Sequence, residues 1–475
     1  MFIIDIMMAI SNWLWGWPLL ILTSAVAVYL SIRFKFFQFT KFGHALKNTL
    51  GKIFEKGDGE GDVSPFQACC TALASTLGVG NIAGVSIAIA TGGPGAVFWM
   101  WLVALMGFIV KFSEITLGMA YREQDPETGK WHGGFYWYVR RGLGKNWKWL
   151  GIIWAIILGC AMVFAPAVQI NSVVEAVRTS FDIPPIIIGV ISAVLMFVVL
   201  IGGIKSLSHF AEVVVPFMAL AYTIVSIIIL IMSAGKIPGI FGMIFQYAFT
   251  PMAATGGFAG STVVLAIRWG LARGVYSNEA GTGMAPLAHS SSSANHPVKQ
   301  GLWGITEVFV DTIIVCTMTA LVVLCSGAWT SGETGAALTA TAFGTALGNQ
   351  MLGTIFVTII IALFAFTTAL VNVYYGEICL SALKLDKLTI PYRILGCAFA
   401  IIGSVGALSV LWNLFDFFFG VCAVLNLIVC FLMRKQIGAL IKDYLARLKS
   451  GKWEPTSEAA SNAIPELWVN NESRE

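Results

Sequence analysis

The apolar run 63–91 is long enough to cross a bilayer, yet its middle reads Thr76-Leu77-Gly78-Val79-Gly80-Asn81. Two glycines around a single residue weaken a helix at a depth where lipid tolerates no unpaired backbone. An unwound turn there survives only by lining a protein cavity. Its freed carbonyls and amides can then bind an ion or a polar solute.

The rest of the chain places that turn in a polytopic membrane protein. Eleven apolar runs reach span length: 13–32, 63–91, 95–120, 147–178, 184–203, 207–234, 252–287, 299–327, 348–381, 391–409 and 411–433. Only 11% of residues are charged, where soluble domains carry roughly a quarter. The nine cysteines show no C-x-x-C pairing and read as small core residues, and the five histidines show no metal-ligand spacing. The first run lacks a preceding basic region and is followed by Arg33 and Lys35, so it reads as a retained span.

Basic residues set the expected orientation. Segments 33–62, 121–148 and 434–452 carry six Lys/Arg each and 382–393 carries three, whereas 1–12, 92–94, 235–251, 328–347 and 410 carry only Lys236. This asymmetry puts the N-terminus outside and the C-terminus in the cytoplasm. Residues 35–56, with Phe36, Phe37, Phe39 and Phe42 beside four lysines, read as an interfacial helix. Without the first span, ten remain, divisible five plus five. An odd number of spans per half makes the halves inverted repeats. The expected organisation is an extra N-terminal span (1–34), an interfacial linker (35–62), two five-helix repeats (63–234 and 235–433) and a cytoplasmic tail (434–475). In the second repeat the matching break is assigned to Gly256-Gly257, with Gly270–Gly274 as a rival.

Several polar residues inside spans are candidates beside these breaks. Carbonyls of Ala74 and Leu77 suit a cation, and amides of Gly78 and Gly80 suit a carboxylate. Close helix packing through Gly80 and Gly84 is the plain alternative. Thr367 and Thr368 either back-bond to their own helix or supply two oxygens to an ion. Asn372 either bonds a neighbouring helix or faces a solute, and one of Gln169 and Asn171 faces the cavity. Lys111 and Glu114 stand i, i+3 and read as a local pair. Arg268 and Arg273 are expected to pair with Glu307 and Asp311 as an inner gate; snorkelling is the alternative. Gly281-Thr282-Gly283 is no nucleotide loop, since no Gly-Lys-Ser/Thr follows.

Four motifs resemble hallmarks of the alanine/glycine:cation symporter family. They are Gly80-Asn81-Ile82-Ala83-Gly84, Gly92-Gly93-Pro94-Gly95-Ala96-Val97-Phe98-Trp99-Met100-Trp101, Ala272-Arg273-Gly274-Val275-Tyr276-Ser277-Asn278-Glu279-Ala280-Gly281 and Tyr374-Tyr375-Gly376-Glu377. The resemblance covers about residues 13–433. It implies a LeuT-like fold of five plus five inverted helices with one extra N-terminal span, all-α and eleven-spanning. It implies Na⁺-coupled or H⁺-coupled uptake of small neutral amino acids. By that resemblance, Ala74, Leu77, Thr367 and Thr368 hold Na⁺. Gly78, Val79, Gly80, Asn81, Phe164, Gln169, Gly256, Gly257, Ile267 and Asn372 surround the substrate. Asn81 serves a second cation or the substrate.

Two departures from the family pattern bear on substrate. Val79 stands where relatives carry Thr, and Val371-Asn372-Val373 where many read Gly-Trp-Ser. An amide in place of an indole enlarges and polarises a pocket, which admits glutamine or serine beside alanine and glycine. The expected protein is a monomeric, multi-pass cell-membrane symporter, not an enzyme, with no cofactor, no metal beyond Na⁺ and no nucleic-acid partner. A channel is disfavoured by the lack of a repeated filter or charged ring, and a membrane-embedded enzyme by the lack of ligand clusters or a nucleophile–base pair.

Overall fold

A computed structural model describes residues 2–178, 181, 183–406 and 409–451. They are almost wholly helical; the one sheet is a small hairpin, Glu123–Gln124 against Trp131–His132. Among the described residues, seven helices are long and apolar enough to span a membrane, or up to nine if each of two bent pairs is one span, against the eleven spans expected. The bent pairs are Asp5–Leu14 with Trp17–Arg33 and Pro65–Thr76 with Gly80–Gly92. The first begins earlier than expected, because 1–12, read as a connection, contains the helix Phe2–Leu14.

Lys148–Arg178 and Gln350–Ala382 make the most extensive helix pairing, and Thr389–Val405 also packs against Lys148–Arg178. Ala96–Ala120 packs against both Val263–Asn278 and Pro297–Val308. Pro65–Thr76 packs against Gly203–Met232 and Gln350–Ala382, while Pro185–Ile201 and Gly203–Met232 turn Val190, Val194, Val213, Phe217 and Ile231 outward. Apolar side chains on an outer surface are what a lipid-facing helix requires.

Local signals explain where the interrupted helices start. Ser64 and Gln67 form a reciprocal capping box, with Pro65 at the first helical position. Thr262 caps Val263–Asn278 through the Leu265 amide. The connections carry further helices that the apolar runs did not announce, Ile237–Tyr247 and Gly335–Leu347. The segment 35–56 is short helical turns, Phe37–Thr40, Phe42–Asn48 and Leu50–Lys52, rather than one helix. Arg434–Ser450, in the segment read as a cytoplasmic tail, is an amphipathic helix; residues 452–475 lie outside the described residues.

Candidate functional site

The first break lies where the sequence put it. Pro65–Thr76 ends at Leu77, whose φ/ψ of −72°/89° leaves the helical region, and the chain resumes as a π-turn over Gly80–Gly84, bent by 53°. From the facing helix Gln350–Ala382, the Thr368 hydroxyl reaches the freed carbonyls of Ala74 at 3.1 Å and Ser75 at 3.3 Å. It also reaches Phe364 O at 3.0 Å, and Thr367 bonds the same carbonyl at 2.9 Å. A methyl on Gly78 would press within 3.0 Å of the Thr368 hydroxyl. The glycine is therefore needed for close approach and not only for flexibility.

The second break is not at Gly256-Gly257. Those residues sit in an exposed turn ahead of Val263–Asn278, against Thr330 and Gly332. The rival Gly270 and Gly274 lie within a continuous helix, packed on Ala96 and Val103. The interruption is Glu279–Met284, between Val263–Asn278 and Ala285–His289. Glu279, Gly281 and Gly283 all take positive φ (54°, 93° and 81°), so two glycines absorb most of the left-handed backbone. The sequence held a signal for it: Gly281-Thr282-Gly283 repeats the Gly-x-Gly pattern of Gly78-Val79-Gly80.

A cavity of about 390 Å³ joins the two breaks. Gly78, Val79, Gly80, Thr368 and Glu279 line it, together with Gln169, Asn372, Arg273 and Tyr276. Phe415 and Phe419 add aromatic wall. It extends to the exposed residues Glu175, Thr334 and Ala337 beside Gly335–Leu347; this is the mouth end. Gln169 Oε1 and Asn372 Oδ1 are buried with no hydrogen-bond partner among the described residues. Buried acceptors left so invite a donor from an occupant.

Other expected site residues fall elsewhere. Phe164 is buried against Phe399 and Phe418 and is not part of the cavity wall. Ile267 packs with Leu20, Val103, Leu271 and Val275. Asn81 lies behind the wall, fully buried: its Oδ1 accepts from the Gly78 amide at 2.9 Å, and its Nδ2 donates to Asp311 Oδ1 at 2.6 Å and Ser277 Oγ at 3.0 Å. One amide expected to meet a carboxylate is thereby occupied. Asn171 turns away from the cavity, donating to Gly403 O at 3.1 Å.

The expected inner gate is also rearranged. Arg268 is exposed, and Arg273 lies over the rings of Trp269 and Tyr276 at 5.2 and 5.8 Å. Glu307 instead meets Lys111 at 3.9 Å and His289 at 3.4 Å. Asp311 accepts from Asn81, Ser277 and Thr312. Closure at the end opposite the mouth comes from main chain. Gly59, Asp62 and Val63 donate to the carbonyls of Ser293 and Ser291, and Ser293 donates back to Val63 O at 2.8 Å. Arg122 bonds the carbonyls of Ser290, Ser292 and Glu60. This latch ties the entry of one broken helix to the exit of the other.

A sequence profile described as the sodium:alanine symporter family matches residues 1–459. The chain belongs to that family. Its relatives within the sodium:alanine symporter family include an uncharacterized transporter of Haemophilus influenzae, 40% identical over 454 residues, covering 95% of this chain and 98% of the relative. The sodium/alanine symporter AgcS of Methanococcus maripaludis is 38% identical, with coverage of 90% and 93%. A probable sodium/glutamine symporter GlnT of Bacillus subtilis is 35% identical, with coverage of 92% and 90%. Among solved structures, the nucleobase-cation-symport-1 family transporter MHP1 superposes with a TM-score of 0.51 at 14% identity, covering 88% of this chain and 96% of that one. A mutant of the Eremococcus coleocola manganese transporter gives 0.52 at 12% identity, covering 89% and 96%. This sodium:alanine symporter family member thus shares its helical fold with those two transporters and is a multi-pass membrane protein.

Proposed function

We propose that the protein is a secondary active transporter that couples Na⁺ entry to uptake of a neutral amino acid by alternating access. The observation that carries this reading is the meeting of Thr368 with the Ala74 and Ser75 carbonyls at the floor of the cavity. A hydroxyl and main-chain carbonyls freed by a broken helix are hard oxygen donors, the kind that replaces water around Na⁺. The Thr367 hydroxyl, back-bonded to Phe364 O as Thr368 also is, is the further oxygen on the facing helix. Na⁺ there would draw Pro65–Thr76 against Gln350–Ala382 and shape the adjoining wall for the amino acid. Coupling follows if ion and substrate favour the same conformation. The Asp311 carboxylate and the Ser277 hydroxyl, both bonded by the Asn81 amide nitrogen, offer oxygens for a second cation.

The topology behind this reading is eleven spans in two inverted halves after one extra helix, with the mouth end outside. The basic segments support it. Arg122, His44, His296 and Arg447 gather at the latch end through Arg122–Glu60, His44–Tyr444, His296–Asp443 and Arg447–Asp443 contacts. That is the end the charge asymmetry places in the cytoplasm. The cavity then faces outward with the latch closed.

Alanine and glycine are the first substrates to test, and glutamine or serine the second. The second group is favoured by the unpaired Gln169 and Asn372 oxygens, which a side-chain amide or hydroxyl would satisfy. Uptake into proteoliposomes under an imposed Na⁺ gradient decides the function. Concentrative accumulation that disappears when the gradient is collapsed is expected. Accumulation indifferent to Na⁺ and H⁺ gradients would overturn it.

A further inference from the structure

The charges at 111 and 114 do not make a local pair with each other. Lys111 Nζ donates to Asn278 O at 3.0 Å, the last helical residue before the second break. Glu114 Oε2 accepts from the Gly283 amide at 3.0 Å, near the far end of the same break. One helical turn of Ala96–Ala120 therefore grips both ends of Glu279–Met284. The signs agree with the backbone: an ammonium meets the carbonyl end of a sixteen-residue helix, and a carboxylate meets a freed N–H. Asn426, from Ser409–Leu432, closes the third side, donating to Glu114 Oε2 at 2.7 Å and to Gly281 O at 2.8 Å. Lys111, Glu114 and Asn426 are fully buried, where a charge needs partners: Lys111 also faces Glu307 at 3.9 Å, and Glu114 is held through Oε2, its Oε1 having no hydrogen-bond partner among the described residues.

The gripped segment carries Glu279, a buried carboxylate in the cavity wall, held by Ser75 Oγ at 3.1 Å from the first broken helix. We propose that Lys111 and Glu114 are positioning residues, which fix the second break at its two ends and so set where Glu279 presents its carboxylate to the substrate. They touch neither substrate nor ion themselves; they act through main chain. The inference rests on the cavity being the amino-acid site.

Four variants test it: Lys111→Met, Lys111→Arg, Glu114→Ala and Glu114→Gln, in the full-length protein. Arg keeps a donor for Asn278 O, and Gln keeps an acceptor for the Gly283 amide. Met and Ala are expected to raise the substrate KM for uptake about tenfold, with the half-saturating Na⁺ concentration within about twofold of wild type; the conservative variants recover most of the loss. A merely structural role would move Na⁺ and substrate dependence together and lower the melting temperature in step. Hydrogen exchange of amides 279–284 in detergent gives an answer independent of transport: Glu114→Ala is expected to expose them, and Glu114→Gln to protect them. If wild type moves no amino acid, the functional reading fails while exchange still decides the grip. Unchanged exchange in Glu114→Ala, or an unchanged substrate KM in Lys111→Met on a transporting background, overturns the proposal.

Discussion

The Thr368 hydroxyl lies 3.1 Å from the carbonyl oxygen of Ala74, bridging the facing helix to the first break. If that contact marks the ion, Thr368→Ala removes one ligand and raises the half-saturating Na⁺ concentration by about tenfold or more, roughly 1.4 kcal/mol. Thr368→Ser keeps the oxygen and stays near wild type. Na⁺ titration of amino-acid uptake reads both, and an unaltered Na⁺ dependence in the alanine variant would place the ion elsewhere.

The latch makes a second, independent demand. A methyl on Gly59 would come within 2.9 Å of Ala294 O, and one on Gly61 would strike the Ser292 backbone. Backbone cannot give way as a flexible side chain can, so Gly61→Ala should cost about 1–3 kcal/mol of latch closure. The expected result is a population opened at the latch end. A cysteine introduced at Ser75 would then react faster with a membrane-impermeant thiol reagent applied from that side. Equal labelling in Gly61→Ala and its parent would count against the latch.

Asn372 is the residue at which the proposed substrate choice is tested. Its Oδ1 is buried and unpaired beside the cavity. Asn372→Trp fills that space and removes the amide, so competition by glutamine or serine against labelled alanine should weaken by about tenfold while alanine itself persists. An unchanged competition profile would show that Asn372 does not read the side chain.

Acid should loosen the C-terminal helix. His296 Nδ1 accepts from the Val298 amide, and its Nε2 faces Asp443 Oδ2 at 3.1 Å. Burial lowers the His296 pKa below the usual 6.5, against the opposing pull of Asp443. The undocked imidazole therefore binds protons more tightly. Docking is fully favourable above about 6.5 and weakens as the pH falls through that value. A proton on Nδ1 would also cost the Val298 amide its acceptor. Limited proteolysis of Arg434–Ser450 between pH 8 and pH 5 should accelerate on acidification, and His296→Gln should flatten that response. Cleavage that is flat with pH in the parent protein is the contrary outcome.

Much of the architecture was legible because hydrophobic length and glycine placement are local properties. Most of the long apolar runs and the kink at Leu77–Asn81 follow from spacing along one helix, whereas the partnership of Thr368 with Ala74, on two separate helices, was implied only by the family resemblance. The second break was misplaced because glycine density alone does not say which glycines unwind. Gly256 and Gly257 serve an exposed turn, and Gly270 and Gly274 allow close packing on Ala96 and Val103. Phe164 and Ile267 show the same limit, since an apolar side chain in a span has several helices it can face.

What the sequence determined by itself is the solvent the chain is built for, its helices and where one of them must unwind, since lipid forbids unpaired backbone outside a cavity. What only the tertiary structure decided is which charges meet. Lys111 and Glu114, three residues apart, looked like partners for each other, and Arg273 looked like a partner for Glu307. In the folded chain Lys111 and Glu114 part to the two ends of the Glu279–Met284 break, and Arg273 settles on aromatic rings. The reason is physical. Inside a bundle, a charge goes to whichever unsatisfied group packing brings within reach, and freed carbonyls and amides at a broken helix are partners that no side-chain pattern displays.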